Sequence, residues 1–337
     1  MKIRTGKYSS IEEAGDYLDH LASTYLQFNG YDYFIGDIKK ALQYTITSIH
    51  QNAEYIVLSE GEKILAHTLL VEDDRLPQGE ALFGFFECKN SNEVFLLLWN
   101  KLSELCRGKG ISVLKGPINA TIWHQYRVIK KSDSKVPFFN SEPLGMPWYY
   151  TMLQGMNPVE EVNYHSGLRE QFDLIIDLTK PSYDALVAEG YSIKPGEINP
   201  EQIAKLYRLS AGIFTDSWSF TKIDEKEFAS LYSGEKIEKH IGEIYMAYQG
   251  NSLAGFCSTV RDHNNLIMKT IAVLPRMQGM GIGNALVHLV HREAKNNGIS
   301  AIVYALIRDI NKVRFFPKDD VILFREYACF TFSLHGL

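Results

Sequence analysis

Three glycines at every second position, Gly279, Gly281 and Gly283, lie between an apolar, β-branched run from Leu266 to Val273 and an amphipathic run that begins at Ile282. Glycine has no Cβ, so a turn built this way reaches positive φ and leaves its N–H groups uncovered. Pro275 ends the first run, because proline cannot donate to a sheet ladder. Ile282, Ala285, Leu286, Leu289 and Val290 then recur at helical spacing, and Asn297-Gly298 supplies a stop. The stretch predicts a strand, a tight turn and a helix. A bare helix N-terminus carries unpaired donors and roughly half a positive charge, which suits an anion.

Neighbouring residues narrow the choice of anion. A nucleoside-triphosphate loop needs Gly-Lys-Ser/Thr after its glycines, whereas Asn284 and Ala285 follow Gly283. A dinucleotide fold needs G-x-G-x-x-G and a placed acid; here the spacing is G-x-G-x-G and only Asp309 is loosely positioned. On the glycines alone, a connection that binds nothing stays open. His288 and His291 lie three apart on the helix with no third ligand nearby, so a solvated polar face and no metal are expected. No Ser-His-Asp arrangement with a nucleophile turn is present.

The elements that must hold this turn recur along the chain. Tyr55–Leu58 and Ile64–Val71 form a hairpin around Glu60–Lys63, followed by a strand at Ala81–Cys88. A helix capped by Asn90-Ser91-Asn92 then runs from Glu93 to Arg107, and Ile111–Leu114 is a further strand. The same order returns as a hairpin at Glu243–Tyr248 and Leu253–Val260, the strand at Leu266–Val273, a helix at Ile282–Lys295 and a strand at Ala301–Ile307. The pattern is an internal duplication. Helices precede the first copy over Ile11–Gln51, with breaks near Asn29-Gly30 and Gly36. Between the copies, Phe172–Leu178 reads as a strand and Thr179–Gly190 as a short helix. Ile193–Gly196 reads as a short strand, and Asn199-Pro200-Glu201 opens a helix that runs to about Ala211. An acidic helix lies around Asp224–Leu231, and Ile322–Phe332 is a terminal strand. The stretch from Gly116 to Pro147 is a long loop; its aromatics, Trp123, Phe138 and Phe139 among them, roof an acceptor pocket or pack domains together, and both readings stay open.

A chain of 337 residues has room for two domains, and 45% hydrophobic with 22% charged residues is ordinary globular composition. A net charge of -5 and the short Lys130-Lys131 pair argue against nucleic acid as a partner. Cys88, Cys106, Cys257 and Cys329 form no CxxC pair, so reduced buried thiols are expected. The first residues lack an apolar signal-peptide core, and apolar runs such as Val94–Trp99 fall short of a membrane span. A cytoplasmic protein with no membrane partner is the expectation.

Val273-x-Pro275 followed by Gln278-x-x-Gly281-x-Gly283 resembles the acyl-CoA signature of the GNAT superfamily of N-acetyltransferases. The resemblance implies an α/β (α+β) class with two tandem GNAT-like domains, 1–170 and 171–337, each a mixed, mostly antiparallel sheet flanked by helices. Trp148–Leu153 with Gly155-Met156 looks like the end of the first such domain. It implies that acetyl-CoA is the co-substrate. The amides of Gln278, Gly279, Met280, Gly281, Ile282, Gly283 and Asn284, with Arg276, would then hold the pyrophosphate. Ile271, Ala272 and Val273 would pair with the pantetheine, and Asn311 would touch CoA. The first copy has Glu87 to Asn92 in place of the glycines, which implies that it no longer binds CoA. Asp216, Trp218 and Phe220 become candidates for contact with the acceptor, an amine of a small molecule or peptide; ordinary loop packing is the alternative.

The chain departs from the family at the catalyst. Lys318 stands where a tyrosine acid is usual, after Phe315, Phe316 and Pro317. Tyr327 is the candidate acid in its place, with Tyr304 the other tyrosine near enough by type; a plain strand tyrosine is the alternative for both. Lys269 occupies the position of the glutamate base found in some members, which leaves a water-relayed base, Glu243 or Asp216. The implied activity is acetyl transfer to a primary amine by direct attack in a ternary complex. A CoA-binding module without catalysis is the competing reading. An aminoacyl-tRNA-dependent transferase is a third, against which the acidic charge and the intact loop count.

Overall fold

A computed structural model describes residues 1–197, 199–231, 241–310 and 320–334. It divides into two compact units. The first comprises Met1–Tyr164, Trp218–Thr221 and Arg325–Leu337; the second comprises His165–Ser217 and Lys222–Phe324. Asn311, Phe315, Phe316, Pro317 and Lys318 lie outside the described residues. No described helix is long and apolar enough to cross a membrane.

The first unit opens with β1 (Lys2–Gly6), α1 (Gly15–Tyr25) and α2 (Tyr31–Thr47). Then follow β2 (Gln51–Glu60), β3 (Lys63–Asp73), β4 (Glu80–Cys88), α3 (Asn92–Gly108) and β5 (Val113–Gly116). β1 to β4 are successive antiparallel neighbours, and β4 runs parallel to β5. Gly61 takes the hairpin turn at φ 59°, a region glycine enters without strain. Ser91 caps α3 by accepting from the Val94 N–H at 3.4 Å. Val94, Leu98 and Leu102 then line the buried stripe of that helix. Trp99 packs edge-on to Phe332 at 4.7 Å, beside Phe83 and Phe330, at the centre of the core. β6 (Val128–Ser132), α4 (Trp148–Gln154) and the start of β7 (Glu160–Arg169) complete the run.

The second unit repeats this order. After α5 (Asp173–Ala188) come β8 (Tyr191–Gly196), α6 (Pro200–Ile213), α7 (Glu225–Leu231), β9 (Ile241–Gln249) and β10 (Ser252–Asp262). β11 (Asn265–Val273), α8 (Ile282–Asn296), β12 (Ala301–Arg308) and β13 (Val321–Ser333) follow. β8 to β11 are antiparallel neighbours, and β11 runs parallel to β12. Asn199 caps α6 by accepting from the Gln202 N–H at 2.9 Å, with Pro200 in the first turn. Each unit is thus a mixed, mostly antiparallel sheet flanked by helices, as expected. From Arg325 onward β13 groups with the first unit, where it pairs antiparallel with β5 and β6, although chain order alone puts it with the second copy.

Three expectations change. Phe172–Leu178 is no strand: from Asp173 it is the first half of α5, because Ile175, Thr179 and Leu186 bury one helical face despite Pro181. Gly36 does not break α2, which runs through it. β1, β6 and β7 stand where no strand was expected, β6 within the stretch read as a long loop, where it ladders to β13. β1 is exposed along nearly its whole length and is held by its ladder to β2. In β7 the inward positions include Ser166 and Arg169, so no apolar alternation announces the strand.

Candidate active site

The site begins with one extra residue. β10 and β11 pair Ser258 with Thr270 and Thr259 with Met268, so Lys269 is unmatched and bulges. At the same point β11 leaves β12: their parallel register runs from Asn265↔Ala301 to Met268↔Tyr304 and stops, although both strands continue. β11 from Thr270 to Val273 stays laddered to β10 on one side only. The two strands therefore open a wedge, and the inner edge of β11 at Ile271, Ala272 and Val273 offers backbone donors and acceptors to an extended ligand.

Beyond Val273 the chain turns through Pro275–Met277, and the Gln278 side chain donates to the Val273 carbonyl at 3.3 Å. Gly279 and Gly281 sit at φ 85° and 86°, where a side chain would be strained. Gly281 also faces Ser182 of α5, whose Cβ would lie 3.2 Å from an added Cβ. Gly283 is different. Its conformation needs no glycine, and its lack of a side chain leaves the first turn of α8 bare. The first hydrogen bond inside α8 is Ala285 N–H to Gly281 carbonyl at 2.9 Å. The N–H groups of Ile282, Gly283 and Asn284 consequently have no partner in the helix. With the exposed Arg276 and Gln278 beside them, they form a cationic cradle. Free amides, open space at Gly279 and an unpaired strand edge fit the pyrophosphate and pantetheine of CoA.

His288 and His291 are buried, contrary to the solvated face expected of them. The cause is α5, which lies along α8 as a helix. His288 Nδ1 donates to the Ile176 carbonyl at 3.1 Å. His291 Nδ1 donates to the Val287 carbonyl at 2.7 Å, so its Nε2 accepts from the Tyr304 hydroxyl at 2.6 Å. Burial pushes the Tyr304 hydroxyl above its ordinary range, and its proton is engaged on His291. No group of three or more metal-ligating side chains occurs among the described residues.

The other expected site residues are shared between the two units. Tyr327 is fully buried in the first unit and donates to Glu142, which also accepts from Arg325 at 2.7 Å. Trp218 and Phe220 group with the first unit and Asp216 with the second. Trp218 donates to Thr331 at 3.0 Å, Phe220 packs against Trp123 at 5.9 Å, and Asp216 is exposed at the end of a short turn. Ser182 and the Lys269 bulge were not anticipated. Nothing local announces either, since the first needs α5 to be a helix and the second is a matter of register.

The same wedge occurs in the first unit, and there it is closed. β4 and β5 pair only from Glu80↔Val113 to Leu82↔Lys115, and β4 bulges near Phe85. Chain from the following loop fills the gap: Ile118 donates to the Phe83 carbonyl at 2.8 Å, and Asn119 accepts from the Phe85 N–H at 2.6 Å. An added Cβ on Gly84 would lie 1.8 Å from the Ile118 carbonyl oxygen. At Cys88 the Tyr149 hydroxyl takes the N–H at 3.3 Å, and the Trp148 indole donates to the carbonyl at 2.8 Å.

Comparison with known proteins bears on the fold. Residues 203–316 match the acetyltransferase (GNAT) family model. No curated protein matches the sequence. Among solved structures, a tandem GNAT protein from the clavulanic acid biosynthesis pathway aligns over 100% of both chains at 13% identity, with a TM-score of 0.61. A GCN5-related N-acetyltransferase from Anabaena variabilis aligns over 99% of this chain and 73% of its own at 9% identity, with a TM-score of 0.56. A probable N-acyltransferase from Enterococcus faecalis aligns over 97% and 72% at 8% identity, with a TM-score of 0.55.

Proposed function

Because this chain carries a GNAT-family acetyltransferase domain within a tandem GNAT fold, we propose that it transfers an acetyl group from acetyl-CoA to a primary amine, and that the second unit alone holds the CoA. The observation that carries the reading is the open wedge at Lys269 leading to the bare turn of Gly279 to Gly283. In the first unit that wedge is closed by Ile118 and Asn119. Acetyl-CoA supplies the activated acyl group. The chain's part is to bind it through the amides from Gly279 to Asn284, align it along Ile271–Val273, and present a strand N–H where negative charge develops. With Tyr304 bonded to His291 and Lys269 at the bulge, solvent entering the wedge is the route by which the amine loses its proton.

Calorimetric titration with acetyl-CoA tests the reading. Gly281→Glu is expected to abolish binding, since the new side chain meets Ser182 and carries a negative charge into the cradle. Arg276→Glu, on an exposed residue that leaves the backbone alone, is expected to weaken binding roughly tenfold, about 1.4 kcal/mol, and more at low salt. Unchanged affinity in both variants would refute the assigned loop. Thiol release against a panel of amines then separates an enzyme from a module that only binds. All four cysteines are buried, so the protein's own thiols add little background.

A further inference from the structure

α8 begins without a side-chain cap of its own, because its N-cap residue is Gly281. The helix of the first unit is capped by Ser91, whose hydroxyl is spent on the Val94 N–H at 3.4 Å. In the second unit a serine reaches the same place from another element. Ser182 of α5 stands beside Gly281, its Oγ 3.3 Å from where a Cβ on that glycine would lie. Among the described residues its one side-chain hydrogen bond is from the Asn284 amide, which donates to Oγ at 3.5 Å on an exposed surface. Ser182 accepts there, so its own hydroxyl proton is left for another acceptor. Contacts on both sides of this residue fix α5 on α8. The Tyr183 ring lies 4.8 Å from that of His288, and the Arg292 guanidinium lies 5.2 Å from the Tyr183 ring. One turn and a half earlier, the Ile176 carbonyl accepts from His288 at 3.1 Å.

A serine at the N-cap itself accepts from the helix N–H groups and competes with an anion for them. Placed alongside instead, Ser182 leaves the N–H groups of Ile282, Gly283 and Asn284 open and adds a donor to them. A pyrophosphate presents more acceptor oxygens than three amides satisfy, and a hydroxyl that donates to an ionised oxygen makes one of the stronger hydrogen bonds. We propose that Ser182 is a further binding residue for acyl-CoA: its hydroxyl donates to a phosphate oxygen held at the first turn of α8. The inference rests on the reading of this turn as the CoA cradle, and it adds a donor from outside the strand, turn and helix that form it. Because the contact is to phosphate, it favours acyl-CoA over thioesters that carry the pantetheine arm alone.

The test is calorimetry on the full chain with acetyl-CoA and, at millimolar concentration, acetyl-pantetheine, which has the same thioester and arm but no phosphate. Ser182→Ala is expected to weaken acetyl-CoA about tenfold, the worth of one hydrogen bond to a charged oxygen, and to leave acetyl-pantetheine as it is. Ser182→Asp sets a negative charge against the same N–H groups, and is expected to weaken acetyl-CoA roughly a hundredfold. Alanine suits a helix interior, so the melting temperature of Ser182→Ala should not fall, which shows that the variant folds. Parental affinity for acetyl-CoA in Ser182→Ala overturns the inference. So does an equal loss for both thioesters, which would make Ser182 a packing residue of the turn. The cradle is judged separately by Arg276→Glu. If that variant is weakened while Ser182→Ala is not, only the serine is refuted; if the parent gives no saturable heat with acetyl-CoA, the cradle falls and the serine with it.

Discussion

Glu87 is a carboxyl group buried with hydroxyls rather than cations. His20 lies 3.9 Å away, and burial itself makes it harder to protonate. Burial raises the Glu87 pKa to about 8, and hydrogen bonds from Tyr149 and Tyr25 oppose the shift only in part. Between the ordinary carboxyl range and pH 8 the folded protein keeps a proton that the unfolded chain has released, so this group lowers stability as pH rises through that window. Glu87→Gln is therefore expected to match the parent near pH 4 and to be more stable above pH 8, by at most about 5 kcal/mol. Thermal melts of both proteins across pH check it, and a difference independent of pH would show that the carboxyl is ionised in the fold. Buried histidines act in the opposite sense. His67 and His291 fall to about 3 and His124 to about 4, chiefly through burial, so their stability is complete above about pH 6.5 and is lost as pH falls toward those values. At this scale the glycine turn was legible, because positive φ at Gly279 and Gly281 demands glycine. The burial of His288 and His291 was not, because it depends on which element lies alongside.

That element is α5. Its run of Phe172, Leu174, Ile175, Ile176 and Leu178 has the density of a buried strand, and Pro181 reads as a stop. The helix forms because Ile175, Thr179 and Leu186 share a face against α8, and Pro181 is exposed, so its ring displaces no packing. The missing N–H still leaves the Asp177 carbonyl without its helical donor. Pro181→Ala is expected to stabilise the second unit by about 1–3 kcal/mol, read as a higher urea midpoint at unchanged slope. A lower midpoint would mean that the local bend is what seats Ser182 beside Gly281. Hairpins, capped helices and the paired αβ units could be read from turn residues and periodicity. The wedge could not. It follows from a single-residue slip at Lys269, and composition carries no mark of register.

Across the whole molecule the duplication was legible as hairpin, strand, helix and strand, twice. What chain order hides is the copy each terminal strand serves. β13 follows the second unit in sequence, yet from Arg325 it lies in the first, laddered to β5 from Phe330↔Gly116 to Ser333↔Val113. It brings Tyr327, Phe330, Phe332 and Leu334 into that core, none more than 5% exposed. At about 1.5–3 kcal/mol for each fully buried large side chain, their burial contributes roughly 6–12 kcal/mol, comparable with the net stability of an ordinary domain. Arg325 adds its buried pairing with Glu142, and a carboxylate stranded by its loss would cost more. A fragment of residues 1–170 should therefore lack a cooperative melt and dispersed amide resonances, although it contains every other strand of the first sheet. Adding a peptide of residues 320–337 should restore both in part. If the fragment folds alone with a sharp transition, the first unit does not depend on the strand that the end of the chain supplies.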